Sequence, residues 1–248
     1  MNVLVFLPAF NEGASLRLVL PELAREVPGM DVLVVSDGST DETVAVARRA
    51  GVRVLDLPVN LGVGGAVQAG FSYAYRHGYD YAIRIDADGQ HPPSEIPRLL
   101  EALRAGDADV VTASRFLGHS ERVSSRFRSL GIALLANFLS AICRASVTDP
   151  TSGFQGVNRL AMALFASSYP HDYPEPEALA LLSRLGFRFR ETGAVFRPRL
   201  AGTSTIGELE TLFFAFKVFL ALCVGRARNL DEGLSRSCLA RQLQEGRS

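Results

Sequence analysis

Apolar residues follow two rhythms along the first half of the chain. Short unbroken runs, Val3 to Leu7, Val32 to Val35, Val52 to Leu57, Tyr81 to Ile85 and Val110 to Ala113, predict strands. Between them lie amphipathic stretches, Ser15 to Glu26, Thr43 to Ala50, Gly65 to Arg76 and Ser94 to Arg104, which predict helices. That alternation implies a mostly parallel sheet covered by helices, and unbroken apolar strands imply burial on both faces. After Arg115 the rhythm changes. Arg122 to Cys143 reads as one long helix or two shorter ones, and Thr148 to Phe154 as a turn-rich stretch. Pro174 to Leu185 then reads as a helix, Arg188 to Phe196 as a strand and Glu208 to Val224 as a very apolar helix. From Arg226 the chain is polar and is expected to be loosely ordered. No internal repeat or linker interrupts it.

Composition narrows this picture. A chain of 248 residues, 48% hydrophobic and 21% charged, suits one large α/β domain and excludes a disordered one. Twenty-six basic residues cancel 26 acidic ones, so no global positive field supports generic nucleic-acid binding. Three cysteines without close pairs exclude a disulfide scaffold or zinc module and fit a reducing compartment. The N-terminus opens directly into a strand with no visible signal peptide. The nearest approach to a membrane span, Thr211 to Gly225, is shorter than the roughly 20 residues needed and is interrupted by Lys217.

The chemistry collects where strands end. In open α/β sheets ligands bind outside the carboxyl ends of the strands, and three polar clusters fall there. Pro8-Ala9-Phe10-Asn11-Glu12 follows the first strand, Ser36-Asp37-Gly38-Ser39-Thr40-Asp41 the second and Asp86-Ala87-Asp88-Gly89-Gln90 the fourth. Asp86 and Asp88, with the amide of Gln90, suit a hard divalent cation, Mg²⁺ or Mn²⁺, with positions left for phosphate oxygens. The alternative is a solvated acidic turn. Asp37 suits the N–H edge of a nucleobase and Glu12 the hydroxyls of a ribose. Asp41 and Glu42 fit the first turn of a helix capped by Ser39 or Thr40. Asn60-Leu61-Gly62-Val63-Gly64-Gly65 is a glycine-rich helix entry, equally suited to an anion or to tight packing of helix on sheet. It lacks the dinucleotide-binding spacing.

In order, these segments are followed by His91-Pro92, Ser114-Arg115, Asp149 with Ser152-Gly153-Phe154, and Arg199 with Gly202 and Ser204. The set resembles glycosyltransferase family 2, from about Val3 to about Val224. It is most similar to the dolichol-phosphate mannose synthase-like branch that uses polyprenyl phosphates in building the cell envelope. The resemblance implies the GT-A fold, an α/β, Rossmann-like, mostly parallel sheet flanked by helices, here with a C-terminal apolar helix. It implies a nucleotide-binding half at about 1–115, an acceptor-binding half at about 116–225 and a polar tail at 226–248.

The same resemblance implies roles. Pro8, Ala9, Asn11, Glu12, Asp37, Asn60, Gly62 and Ala87 would line the nucleotide sugar. Asp86, Asp88 and Gln90 would hold Mg²⁺ or Mn²⁺ with the diphosphate. Arg199 and Ser204 would meet the diphosphate from a closing loop, and Arg115 with Arg126 or Arg128 would meet an acceptor phosphate. The implied reaction is inverting displacement from a UDP- or GDP-sugar. If a lipid phosphate attacks, no base is needed. If a sugar hydroxyl attacks, Asp149 and Glu175 are the candidate bases, each with a structural alternative in a turn or at a helix start. Thr205, where many mannose synthase-like members carry Lys, leaves the sugar and base open. The implied setting is cytoplasmic, at the inner face of the cell membrane, with peripheral membrane contact through Arg-rich and Phe-rich segments, a homodimer as one arrangement and no nucleic acid. A non-catalytic nucleotide-sugar binder and a nucleotide-dependent oxidoreductase are the rival classes.

Overall fold

The strands β1 (Val3–Ala9), β2 (Asp31–Asp37), β3 (Arg53–Leu57) and β4 (Tyr81–Arg84) alternate with helices α1 (Gly13–Glu26), α2 (Thr43–Arg49) and α3 (Gly62–Arg76). A single 3₁₀ turn, Pro93–Glu95, leads into α4 (Ile96–Arg104) and β5 (Val110–Ser114). Then come α5 (Arg126–Cys143), β6 (Gln155–Asn158), α6 (Arg159–Ser167), α7 (Pro174–Arg184), β7 (Phe189–Gly193) and α8 (Arg236–Glu245). This is a computed structural model that describes residues 1–117, 126–199, 217–222 and 234–245.

The seven strands form one sheet in the order β3-β2-β1-β4-β6-β5-β7. Only β6 runs against its neighbours, pairing antiparallel with both β4 and β5. β1 lies inside the sheet and shows why its run is apolar at every position. Val5 and Leu7 join a core with α1 and α4, while Leu4 and Phe6 join the opposite core with α3, α6 and α7. Successive side chains alternate across a strand, so a strand covered on both faces has no polar side.

The structure departs from the sequence-based reading in three places. β6 and α6 fall just beyond the turn-rich stretch, in residues left unassigned. β6 is four residues long and partly polar, which hides it; it pairs between two strands because Gly156 leaves room for Leu103 and Ile83. Second, the strand expected to run to Phe196 ends at Gly193. Third, the tail is not loose over Arg236–Glu245. That stretch is a helix whose Leu239 is buried and whose Arg236 grips Asp109. Of the apolar helix expected over Glu208 to Val224, residues 217–222 are helical and the rest lies outside the described residues. No helix among the described residues is long and apolar enough to cross a membrane.

Candidate active site

The carboxyl ends of β1 and β2 are stitched to each other before any ligand is considered. Asn11 adopts φ 54°, in the left-handed region where Asn is one of the few tolerated side chains. Its Oδ1 accepts the N–H of Thr40 at 2.8 Å and of Asp41 at 3.3 Å. Asp41 in turn accepts from the N–H groups of Thr43 and Gly13, and the residue at the cap of α2 is Glu42 rather than Ser39 or Thr40. The side-chain oxygen of Asn11, expected to face donor, is thereby spent on loop structure. Glu12 follows with its N–H given to Thr43 Oγ1 and its Oε2 accepting from Ser15. Its Oε1 stays on the site side, 3.2 Å from Arg199.

Asp37, 3% exposed, ends β2 opposite Leu57 of β3, one residue beyond Val35 and Ser36, which pair with Pro8 and Ala9. Its Oδ1 accepts the N–H of Leu61 at 2.7 Å. Gly38 packs so closely on Asn60 that a Cβ would lie 2.7 Å from its backbone nitrogen. Asn60 Oδ1 accepts the N–H of Gly62, whose φ is 79°. Asn60 and Gly62 therefore build the turn that brings Leu61 to Asp37.

After β4 the chain turns through Asp86–Gln90, with Ala87 buried and Gly89 at φ 79°. Asp88 Oδ1 accepts the N–H of Gln90, while Oδ2 lies 3.0 Å from Arg199. One guanidinium thus touches Glu12 from the end of β1 and Asp88 from beyond β4. The strap carrying it is fixed by Arg197, which donates to the Gly89 carbonyl at 2.6 Å and forks onto both oxygens of Glu22. Sequence reasoning missed Arg197 and Glu22; nothing local in the sequence joins them.

Asp86 faces a different cation. Arg84, 2% exposed, lies 3.2 Å from Asp86 and 2.9 Å from Glu175 at the start of α7. Burial alone would raise the Asp86 carboxyl, but the opposed charge of Arg84, with His91 and Arg199, outweighs it and holds it below the usual range. Burial likewise works to lower Arg84, yet Asp86 and Glu175 carry it above the ordinary guanidinium value. Tyr169 completes the group at 3.4 Å from Arg84, its hydroxyl pushed by burial up to about 12. His91 stacks on Phe154 and accepts the Asp86 N–H at Nδ1. Burial pushes its imidazole down, against the pull of Asp86 and Asp88. Arg84 carried a legible signal, a charge inside an apolar strand run, which demands a partner.

On the other side, Asp149 gives both oxygens to Arg115, each at 2.8 Å. Arg115 also reaches Thr151 and sits over the ring of Phe196. Glu191 of β7 accepts the N–H groups of Thr148 and Asp149, fixing that turn to the sheet. A cavity of about 10 Å³, room for one water, lies among Asp149, Ser152, Gln155 and Glu175. The Ser152 hydroxyl there has no partner. The backbones of Arg126 and Arg128 open α5, and Ser204 lies outside the described residues.

Among the described residues no three His, Cys, Asp or Glu side chains gather as a metal cage. The donor chemistry nonetheless suits Mg²⁺ or Mn²⁺ at Asp88. Such ions take one or two carboxylates and complete their shell with phosphate and water. Asp88 already has a positive group, Arg199, standing at its outer oxygen. Asp86 Oδ1 lies 3.2 Å from Arg84, and with its side chain 35% exposed Asp86 keeps an oxygen that suits the same kind of ion.

Residues 4–162 match the family model described as Glycosyl transferase family 2. The chain belongs to glycosyl transferase family 2. Among curated family members it is 45% identical over 164 residues to an undecaprenyl-phosphate mannosyltransferase of Micrococcus luteus, covering 62% of this chain and 65% of that protein. It is 34% identical over 165 residues to a polyprenol monophosphomannose synthase of Mycolicibacterium smegmatis, covering 64% and 62%. The match thus spans less than two thirds of either relative. Glucosyl-3-phosphoglycerate synthase of Mycobacterium tuberculosis, solved with Mn²⁺, UDP and glucosyl-3-phosphoglycerate, superposes with a TM-score of 0.69. That likeness has 22% identity and covers 94% of this chain and 82% of the other. It establishes the GT-A fold for this family 2 chain.

Proposed function

We propose that this family 2 chain is an inverting glycosyltransferase that moves a sugar from a nucleoside diphosphate to a polyprenyl-phosphate-type lipid. The observation that carries the reading is Arg199, which touches Glu12 and Asp88 at once. Asp37, Glu12 and Asp88 then share one edge of the sheet, with the nucleoside toward Asp37 and the diphosphate toward Asp88. Both named relatives, a mannosyltransferase and a mannose synthase, are titled for polyprenyl acceptors, which supports the acceptor class.

Asp88, with Gln90 beside it, would hold Mg²⁺ or Mn²⁺, which when bound supplies positive charge to the departing diphosphate. Arg199 leaves its two carboxylates and turns its fork onto the same phosphates. Arg115, held square by Asp149 and Phe196, presents its remaining edge to the acceptor phosphate. Arg126 or Arg128 on α5 adds a second positive charge. The acceptor oxygen attacks the anomeric carbon from the face opposite the leaving group, and the C–O bond to the diphosphate breaks with inversion.

The acceptor brings its own negative charge, so no proton needs to be removed. This fits the commitments of the two candidate bases: Asp149 spends both oxygens on Arg115, and Glu175 is bonded to Arg84. A lipid acceptor also brings the reaction to a membrane surface. Asp88→Ala is expected to keep a cooperative thermal transition and to lose transfer by at least about a hundredfold, the scale of one electrostatic group at developing charge. Mass spectrometry of lipid products from nucleotide sugar, Mn²⁺ and polyprenyl phosphate checks it. Undiminished transfer by the variant overturns the assignment of Asp88, and a sugar-hydroxyl product overturns the acceptor class.

A further inference from the structure

We propose that Arg84 is a positioning residue serving both halves of the reaction centre, orienting Asp86 on the donor side and Glu175 on the acceptor side. The inference rests on the function proposed above. Arg84 comes from β4, Glu175 from the first turn of α7, and Asp86 from the turn after β4. One buried guanidinium is the joint between them, at 3.2 Å and 2.9 Å.

Three features make this more than a stabilising contact. First, the arrangement is costly. A buried ion pair seldom stabilises more than packed apolar side chains of the same volume. Here Arg84 Nε is left buried without any partner, so the group is not optimised for stability. Second, the surroundings fit the pair closely. A Cβ on Gly153 would lie 2.8 Å from both Arg84 Nη2 and Asp86 Oδ2. The only side chain that leaves both groups where they are is the hydrogen of glycine. Third, the geometry uses what an arginine has and a lysine lacks. Nη2 faces Asp86 and Nη1 faces Glu175, two prongs of one rigid fork.

The consequence is that the two carboxylates do not move independently. Glu175 lines the small acceptor-side cavity with Asp149 and Ser152. A shift of Glu175 turns the guanidinium and with it Asp86, next to Asp88 and the diphosphate.

Two variants test this, each read by Mn²⁺-dependent binding of UDP and GDP in a calorimeter as well as by turnover. Arg84→Lys keeps the charge and loses the fork. It is expected to melt cooperatively, to weaken Mn²⁺-nucleotide binding threefold or more and to lower kcat tenfold or more. Binding and kcat within twofold of wild type overturn the inference, because a merely structural cation is satisfied by lysine. Should Arg84→Lys not fold, Glu175→Gln decides alone. Its amide still accepts from Arg84, and it is expected to change Mn²⁺-nucleotide affinity threefold or more although it lies on the acceptor side. Unchanged affinity overturns the inference. A wild-type protein that binds neither nucleotide overturns the functional reading as well, whereas wild-type binding matched by both variants overturns this inference alone.

Discussion

Asn11 carries two separable loads, a left-handed backbone and an oxygen that ties two loops. Asn11→Gly keeps the backbone and removes the oxygen, which costs about 1 kcal/mol by analogy with a lost cap. Asn11→Ala loses both, adding about 1 kcal/mol or more for a Cβ in the left-handed region. Urea unfolding should therefore rank wild type above Gly above Ala. Equal losses would show that the loop tie, not the backbone, dominates. At this scale sequence was a good guide to place and a poor guide to partner. Asp37, Glu12 and Asp88 were legible because each follows an apolar strand. What each touches was not, because Arg199, which meets Glu12 and Asp88, and Leu61, which meets Asp37, are distant along the chain and only folding brings them in. Arg84 went unread despite its charge within a strand, while its two carboxylates, Asp86 and Glu175, were named without the cation that joins them.

Elements were legible where period and length agreed. β1 to β5 and the four helices among them are unbroken or amphipathic runs, and each was found close to its bounds. β6 was hidden because four residues carry too little pattern, and α8 because its mean polarity masks one buried Leu239. What α8 lacks in apolar area it gains at Asp109, which takes Arg236 at 2.6 Å and also holds Arg188 and Asn158. Burial works to raise Asp109, but the bonds from Arg236, Arg188 and Asn158 prevail and bring it to about 2. A carboxyl lowered on folding stabilises above its unfolded pKa, about 3.9, and that contribution fades as pH falls toward the folded value. Asp109→Asn is thus expected to be less stable than wild type by about 2 kcal/mol near neutral pH. The gap should close between about pH 4 and pH 2, as read by denaturant unfolding across that range. A gap that persists at the acid end would mean packing, rather than charge, holds α8.

For the molecule as a whole, the Arg199 clasp ties the strap after β7 to the ends of β1 and β4 across the centre of the sheet. The two contacts are a third exposed on the arginine side. Such pairs contribute about 0–1 kcal/mol, and each kcal/mol moves the melting temperature of a chain this size by about 2–4 °C. Arg199→Ala without ligand removes two such pairs and is therefore expected to melt within about 8 °C of wild type. Donor should separate the two proteins. A ligand at about one hundred times its Kd stabilises by about 2.7 kcal/mol, and a tenfold weaker Kd at the same concentration leaves about 1.4 kcal/mol. If Arg199 exchanges its carboxylates for the diphosphate, nucleotide sugar with Mn²⁺ should raise the variant's melting temperature by roughly half the wild-type increment. An equal increment in both proteins would mean that the guanidinium stays on Glu12 and Asp88 when donor binds. The clasp would then be a fixed brace of the sheet edge rather than the hand that closes on the leaving group.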